Sequence, residues 1–470
     1  MRRAHASSWL RSVWAVLALV GCAHGVAGER ATIRTASVEN EFPQRKFGEI
    51  IGLQVKFWQG QPERDLITLK ELGVRWVRDE VSWSEVEPTP GQHRLPSAAL
   101  DRMRYYRENG IGVVFLLAYD NKRAYPPTAA DPHNSVNPQA FGRYAVAVAR
   151  MLKATGVQFV LEIWNEPHNT LRPLVGGSWN GKPPAPWVDH YVRMVHEAVR
   201  QVKAFDPTIK LLSDDDMWIV HYWFLEAGLP RELDGFAFHP YGSWMPERTG
   251  VNRDTDWVMP FSVVDADSSF RSAVRLLRER GRAKLGKTPE MWITEWGWAI
   301  GEKVQEGAVT EEILAGFIPR AFITAAAAGV HVMCWFSAQD VVDGPMGLTA
   351  NDGRRRKSYY AFKTMSEELK DYALVRQVAG AKNLTSGVQA FLFRGERNYK
   401  IVVWSLDGAT HKLPLQGAFR EAMASDTLGQ PLPRARIDSS VPTLTFGSAP
   451  IYVTGVLPEP TIEADLARLK

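Results

Sequence analysis

The sequence predicts an α/β chain, a (β/α)8 barrel followed by a C-terminal all-β sandwich domain. Three observations carry this reading. Between about residues 48 and 370, short apolar runs alternate with longer amphipathic stretches, the pattern of a parallel sheet with crossover helices. The apolar runs in that span number eight. From about Tyr372 onward the texture changes to short runs broken by Gly, Pro and Asp, as in a small antiparallel β domain. A chain of 470 residues is also too long for one typical domain.

Taken in order, residues 1–28 read as a processing signal: Arg2 and Arg3, the apolar run 13–20, then small residues. Leu19-Val20-Gly21-Cys22 resembles a bacterial lipoprotein cleavage box, which makes Cys22 a candidate for a lipid anchor; cleavage after Gly25-Val26-Ala27 is the other reading. Either one predicts a secreted, periplasmic or outer-membrane lipid-anchored protein. No other apolar run is long enough to span a bilayer.

The barrel is expected over residues 41–371. Its strand candidates are 49–57, 74–78, 112–118, 158–164, 210–213, 235–239, 291–294 and 331–336. Helix-like stretches follow them, for example 62–72 ending at Gly73, 97–109 ending at Gly110 and 138–155 ending at Gly156. A glycine just past a helix, followed by an apolar strand, is helix C-cap chemistry. Eight such units over about 320 residues fit a closed barrel with loop insertions. A doubly wound open sheet is the runner-up, but no Gly-rich phosphate loop follows the first strand. The sandwich is expected over 372–458 from runs such as 388–393, 399–404 and 444–446, with residues 31–38 as a possible additional strand.

Composition excludes several function classes. Fifty-six basic residues against 52 acidic ones give a formal charge of +4, too small and too evenly spread to argue for nucleic acid or an anionic surface. The densest basic run, residues 354–357, reads as a solvated loop. With the signal removed, Cys334 is the only cysteine besides Cys22, so there is no internal disulfide framework, and Val-Met-Cys-Trp-Phe reads as a buried core thiol.

A barrel's chemistry lies where its strands end. The fourth strand ends Trp164-Asn165-Glu166-Pro167-His168 and the seventh ends Thr294-Glu295-Trp296-Gly297-Trp298, so two carboxylates stand at equivalent heights, facing each other across the mouth. Such a pair is what glycoside hydrolysis requires: one protonates the leaving oxygen, and the other attacks the anomeric carbon or activates water. A gap of about 5 Å means retention, and about 6.5 to 9.5 Å means inversion. Glu162, two residues before Trp164, alternates onto another layer and reads as a barrel-interior or ion-paired residue. The Asp214-Asp215-Asp216 run tempts a metal reading, since oxygen ligands suit hard cations. Consecutive residues point different ways, so it reads instead as the polar end of the fifth strand. The chemistry calls for no cofactor and no metal.

Trp164-Asn165-Glu166-Pro167 together with Thr294-Glu295-Trp296-Gly297-Trp298 resembles clan A of the glycoside hydrolases. The surrounding pattern, over about 330 residues, is most similar to family 39 and its bacterial relatives that cut biofilm exopolysaccharides. The resemblance implies Glu166 as general acid/base, Glu295 as nucleophile and retention of configuration, with Asn165 on the sugar 2-hydroxyl. Arg78, in Val-Arg-Asp at the end of the second strand, resembles the arginine that keeps the nucleophile ionised. His239 and Tyr241, in Phe-His-Pro-Tyr, resemble the pair beside the nucleophile, with Tyr241 donating its hydroxyl to Glu295. Trp335 resembles the sugar platform. Trp58, Trp83 and Trp298 at other strand ends would stack on sugar rings, core packing under the loops being the alternative for each. The sequence departs from the clan at the third strand, which closes Leu117-Ala118-Tyr119-Asp120 where the clan often carries a His.

The expected activity is therefore retaining hydrolysis of O-glycosidic bonds in a polysaccharide, a bacterial exopolysaccharide being favoured. Two rivals stand beside it: an exo-acting β-xylosidase-like enzyme trimming oligosaccharides, and a catalytically silent glycan-binding protein that keeps the barrel as a scaffold.

Overall fold

The computed structural model describes residues 45–242, 245–249, 259, 261–301, 309–340, 344–380, 387–414, 419, 422–433 and 443–456. The expected signal at 1–28, Cys22 and the possible strand at 31–38 lie outside the described residues.

Eight parallel strands close into a barrel: β1 (Ile51–Gln54), β2 (Trp76–Glu80), β3 (Gly112–Leu117), β4 (Phe159–Ile163), β5 (Leu211–Asp215), β6 (Gly235–Phe238), β7 (Glu290–Trp296) and β8 (Val332–Trp335), with β8 pairing back onto β1. Every expected strand is present. Their bounds shift by a residue or more, as in β2, which starts and ends two residues later, and β7, which runs on to Trp296. The first run is a strand only in its middle, because 3-10 turns at Phe47–Ile50 and Phe57–Gln59 take up its ends. The fifth runs further, so Asp214 and Asp215 belong to the strand itself.

Helix Pro138–Thr155 shows why the connecting segments fold as they do. The Asn137 side chain accepts the N–H of Ala140, Pro138 occupies the first turn, where its missing N–H costs nothing, and Gly156 stops the helix at φ 73°. Its buried residues, among them Phe141, Tyr144, Val148 and Leu152, recur at helical spacing and face inward.

Alternation fills the barrel in two tiers. Val114, Val160, Leu212, Ala237, Trp292, Val332 and Cys334 form an apolar plug, joined by Trp76, whose ring meets Trp292 edge to face at 5.1 Å. Two residues further along the strands the inward positions turn polar: Gln54, Arg78, Glu162, Asp214, His239 and Thr294, all buried. The apolar tier seals the base, so that polar tier opens only toward the C-terminal ends. Cys334 is a free, fully buried thiol within the plug, and burial pushes its pKa up, which removes it as a nucleophile.

Beyond helix Lys357–Leu369 the described residues form seven strands: β9 (Ala373–Ala379), β10 (Val388–Arg394), β11 (Tyr399–Ser405), β12 (His411–Pro414), β13 (Met423–Ser425), β14 (Thr443–Phe446) and β15 (Ile451–Val456). They form a five-stranded antiparallel sheet in the order β13-β15-β11-β10-β9 and a two-stranded sheet of β12 and β14. The period-two alternation gives the larger sheet two buried faces. Leu392, Ile401, Val403 and Val453 pack on Leu413, Leu444 and Phe446 of the smaller sheet, completing the sandwich. Phe391, Phe393, Val402, Trp404 and Tyr452 join the core that continues into the barrel. At that junction Glu247 accepts both Arg320 Nε (2.8 Å) and Nη2 (2.7 Å) as well as the Trp404 indole N–H (2.9 Å).

The basic run at 354–357 is not simply solvated. Arg354 and Arg355 are exposed and paired with Glu311 and Glu71, whereas Arg356 is buried and bonds Asp340 and the Gly347 carbonyl.

Candidate active site

The site is built where two strands break their own regularity. At the end of β4, Trp164 (φ 69°) and Glu166 (φ 47°) adopt the left-handed region, costly for residues with a Cβ unless surrounding contacts hold them there. Those contacts are present. The Trp164 indole N–H donates to Thr170 Oγ1 (2.7 Å), that hydroxyl reaches the Asn165 carbonyl (2.5 Å), and the Glu166 N–H donates to Asp214 Oδ2 (2.8 Å). Pro167, with its φ preset, then opens a one-turn helix, Pro167–Thr170. The double reversal turns both Asn165 and Glu166 toward the mouth.

On β7 the pairing with β8 slips between Ile293 and Trp296. Such a bulge re-aims side chains. Thr294 points inward, donating to Glu162 Oε1 at 2.9 Å, and Glu295 also reaches the interior, where it meets Arg78. Gly297 follows because β8 passes too close for a side chain: a Cβ there would lie 2.2 Å from the Phe336 carbonyl oxygen.

Arg78, fully buried in the middle of β2, is the hub. Its Nε and Nη2 grip Glu162 as a fork (2.7 and 2.9 Å), Nη2 also donates to Asn165 Oδ1 (2.8 Å), and Nη1 donates to Glu295 Oε1 and to Gln54 Oε1 (3.3 Å). Burial alone would raise the pKa of Glu162, but the guanidinium outweighs it and holds that carboxyl at about 2.

His239, also fully buried, lies beneath both carboxylates. Its Nδ1 is 3.0 Å from Glu166 Oε1 and 3.8 Å from Glu295 Oε2. Its Nε2 is 3.0 Å from Thr294 Oγ1, and since that hydroxyl donates to Glu162, Nε2 must carry a proton. Burial works against a charge on the ring, but Asp214, Glu295, Glu162 and Glu166 outweigh it and hold its pKa well above the usual histidine range. With both nitrogens protonated, Nδ1 donates to Glu166. The Tyr241 hydroxyl donates to Glu295 Oε2 at 3.2 Å. For Glu295, burial is outweighed by His239, Arg78 and Lys56, so its pKa is lowered and the carboxylate stays ionised.

One oxygen of Glu166 and one of Glu295 lie within 4.8 Å of each other, and each side chain keeps a small exposed surface, 15% and 10%. Glu162, Asp214 and His239, and likewise Glu166, His239 and Glu295, are close enough to hold a cation. In both groups a carboxylate is already paired with the Arg78 guanidinium, so positive charge is supplied there without a metal.

The structure therefore gathers Glu166, Glu295, Arg78, Asn165, His239 and Tyr241 into one site, with Glu162 buried and ion-paired beneath them. The tryptophans divide. Trp58 sits in the turn after β1 and is 45% exposed. Trp298 packs on Trp296, Phe317 and Trp335 at ring distances of 5.4, 5.1 and 5.9 Å, and Trp335 itself is fully buried. Trp83 corrects the sequence reading. It has no exposed surface, stacks on Tyr144 at 5.4 Å, meets Phe141 and Tyr125, and donates its indole N–H to Glu87 Oε2 at 2.6 Å, so it belongs to the core under the loops.

Sequence reasoning missed Lys56 and Glu80, both buried at strand ends. Lys56 Nζ stands 4.4 Å over the Phe336 ring, and burial pushes the Glu80 carboxyl up to about 7. The signal was the same alternation carried two residues further along the chain: Gln54 leads to Lys56, just past β1, and Arg78 to Glu80, the last residue of β2.

No family model matches the chain, and no curated protein sequence matches it. Solved structures do. The chain is similar to a family 39 glycoside hydrolase from the gut symbiont Bacteroides cellulosilyticus, at 18% identity over 88% of this chain and 83% of that one, with a TM-score of 0.69. It is similar to a family 39 enzyme from Xanthomonas axonopodis pv. citri (13% identity, 86% and 93% covered, TM-score 0.55). A family 39 β-xylosidase from Caulobacter crescentus is a third (15%, 91% and 98%, TM-score 0.55). At these identities the likeness shows the fold: a (β/α)8 barrel with an appended β domain, as in those glycoside hydrolases.

Proposed function

We propose that the chain is a retaining O-glycoside hydrolase in which Glu166 is the general acid/base and Glu295 the nucleophile. The observation that carries this is the pair of carboxylate oxygens within 4.8 Å of each other at the C-terminal ends of β4 and β7. That proximity suits direct attack on the anomeric carbon, as in the retaining arrangement, whose carboxyl groups stand about 5 Å apart, where the inverting one spaces them about 6.5 to 9.5 Å to seat a water.

The electrostatics divide the labour. Glu295, held ionised by His239 and Arg78, attacks C1 while Glu166 gives its proton to the departing glycosidic oxygen, leaving a glycosyl ester on Glu295. Glu166, now a carboxylate, then takes a proton from water as that water attacks C1 and frees Glu295. Asn165, its Oδ1 occupied by Arg78, has its N–H groups available for the sugar 2-hydroxyl. Exposed Trp58 is the aromatic surface we assign to a sugar ring beyond the cleaved residue.

We favour a β-linked polysaccharide, such as a bacterial exopolysaccharide, as substrate, which agrees with the secretory layout of the N-terminus. The β-xylosidase among the similar structures keeps the exo-acting reading open. A ladder of products from a purified polysaccharide supports endo cleavage, and monomer alone supports the exo enzyme. Glu166→Gln and Glu295→Ala are each expected to abolish hydrolysis, and the first-formed sugar from the wild type is expected by proton NMR to keep the anomeric configuration of the substrate. Undiminished turnover by Glu295→Ala would sink the nucleophile assignment.

A further inference from the structure

The run Asp214-Asp215-Asp216 lies directly behind Glu166, and each of its members holds one part of the Glu166 to Asn169 segment. Asp214 accepts the Glu166 N–H. Asp215 accepts the His168 N–H at 3.2 Å and its ring Nδ1 at 2.8 Å. Asp216 Oδ1 stands 2.5 Å from the same ring nitrogen, and its Oδ2 accepts Asn169 Nδ2 at 3.1 Å. Asn169 Nδ2 also donates to Glu166 Oε2, at 3.0 Å. The two amide hydrogens of Asn169 are thus divided between two carboxylates. Asp216 fixes the orientation of the amide, because the carbonyl oxygen of Asn169 turned toward that carboxylate would meet an acceptor.

We propose that Asn169, oriented by Asp216, is a positioning residue that assists proton departure from Glu166; this rests on the acid/base assignment above. Asn169 can donate to Glu166 Oε2 but cannot accept from it. Before reaction it faces a neutral carboxyl. As the proton passes to the leaving oxygen and the C1–O bond breaks, negative charge gathers on Glu166, and a hydrogen bond to a charged acceptor is the stronger one. The contact therefore favours the transition state over the ground state, and it matters only where proton donation matters. His239 supplies a similar bond to Oε1, but it also neighbours Glu295, so its loss disturbs both carboxylates. Among the described residues, Asn169 bonds Glu166 and not Glu295.

The test compares kcat/KM for two glycosides of one sugar, chosen from an aryl-glycoside panel: a dinitrophenyl glycoside, whose leaving group needs no proton, and an unsubstituted phenyl glycoside, whose leaving group does. In Asn169→Ala the phenyl substrate is expected to lose about tenfold, the effect of about 1.4 kcal/mol of differential bonding, while the dinitrophenyl substrate stays within about twofold. Asn169→Asp, which keeps the shape but offers no N–H, is expected to show the same selectivity, and Asp216→Asn a smaller version of it. Equal losses on both substrates in both Asn169 variants, or no loss in either, would overturn the proposal. A wild type that hydrolyses neither glycoside refutes the glycosidase reading and this role with it, a result distinct from an active wild type with unselective variants.

Discussion

Replacing Arg78 by Met isolates what the buried hub does. The guanidinium is 1% exposed and bonds Glu162, Glu295, Asn165 and Gln54, while Met has similar length and no charge. Glu162 has no exposed surface, so solvent does not screen the pair. Burial pushes the Glu162 carboxyl up, yet Arg78, helped by His239, holds it below its ordinary value. Removing one partner of such a buried ion pair costs about 3 to 5 kcal/mol. The sign fixes the pH dependence. A carboxylate with a depressed folded pKa adds stability that is present above its unfolded pKa, near 4.5, and lost as pH falls toward about 2. In Arg78→Met the two carboxyls are buried without that countercharge, their pKa values rise, and the penalty is largest at neutral pH and eases as they protonate. Urea unfolding of both proteins at pH 7 and pH 4 is the assay. The expected gap is about 3 to 5 kcal/mol at pH 7 and clearly smaller at pH 4. A gap of equal size at both pH values, or none at pH 7, refutes the reasoning.

Three further outcomes follow from other contacts. Tyr241→Phe removes a donor from Glu295 and is expected to cut kcat/KM by about tenfold or more and to move the acid limb of its pH profile upward, read from kcat/KM between pH 3 and 7. Glu80, raised to about 7 by burial, binds its proton more tightly folded than unfolded, so it lowers stability progressively as pH rises from about 4.5 to 7; Glu80→Gln is expected to gain stability at pH 7 and little at pH 4.5, by urea midpoint. Trp83→Ala is expected to cost about 3 to 5 kcal/mol of stability while the folded fraction keeps its kcat/KM, measured well below the melting point.

The barrel was legible because its signals are local and repeated. Eight apolar runs, with Gly110 and Gly156 past their helices, specify strand, helix and turn from a few adjacent residues each, and a parallel strand buried on both faces reads as continuous apolar sequence. The carboxylate pair was legible for the same reason, since both strands end in polar residues where a barrel exposes them. What escaped depends on neighbours far along the chain. Nothing in Ile-Thr-Glu-Trp announces the slip of β7 against β8 that brings Thr294 and Glu295 to one side. The left-handed backbone at Trp164 and Glu166 is held by Thr170 and Asp214, and only the fold makes Asp214 a neighbour. Trp83 and Trp58 look alike as strand-end tryptophans. Helix Pro138–Thr155 buries the first with Tyr144 and Phe141, whereas the turn at Phe57–Gln59 leaves the second open. The aspartate run does stand at the end of the fifth strand, but its hold on the Glu166 segment required the β4 to β5 register.

The central claim is that Glu295 carries the sugar. Incubating the protein with dinitrophenyl 2-deoxy-2-fluoroglycosides of β-xylose and β-glucose, then mapping the digest by mass spectrometry, tests it most directly, because the fluorine slows release of the covalent intermediate. The account predicts a fluoroglycosyl adduct on the peptide containing Glu295, absent in Glu295→Ala. An adduct on another residue, or an enzyme that hydrolyses the matching unfluorinated glycoside with inversion and forms no adduct, would contradict it.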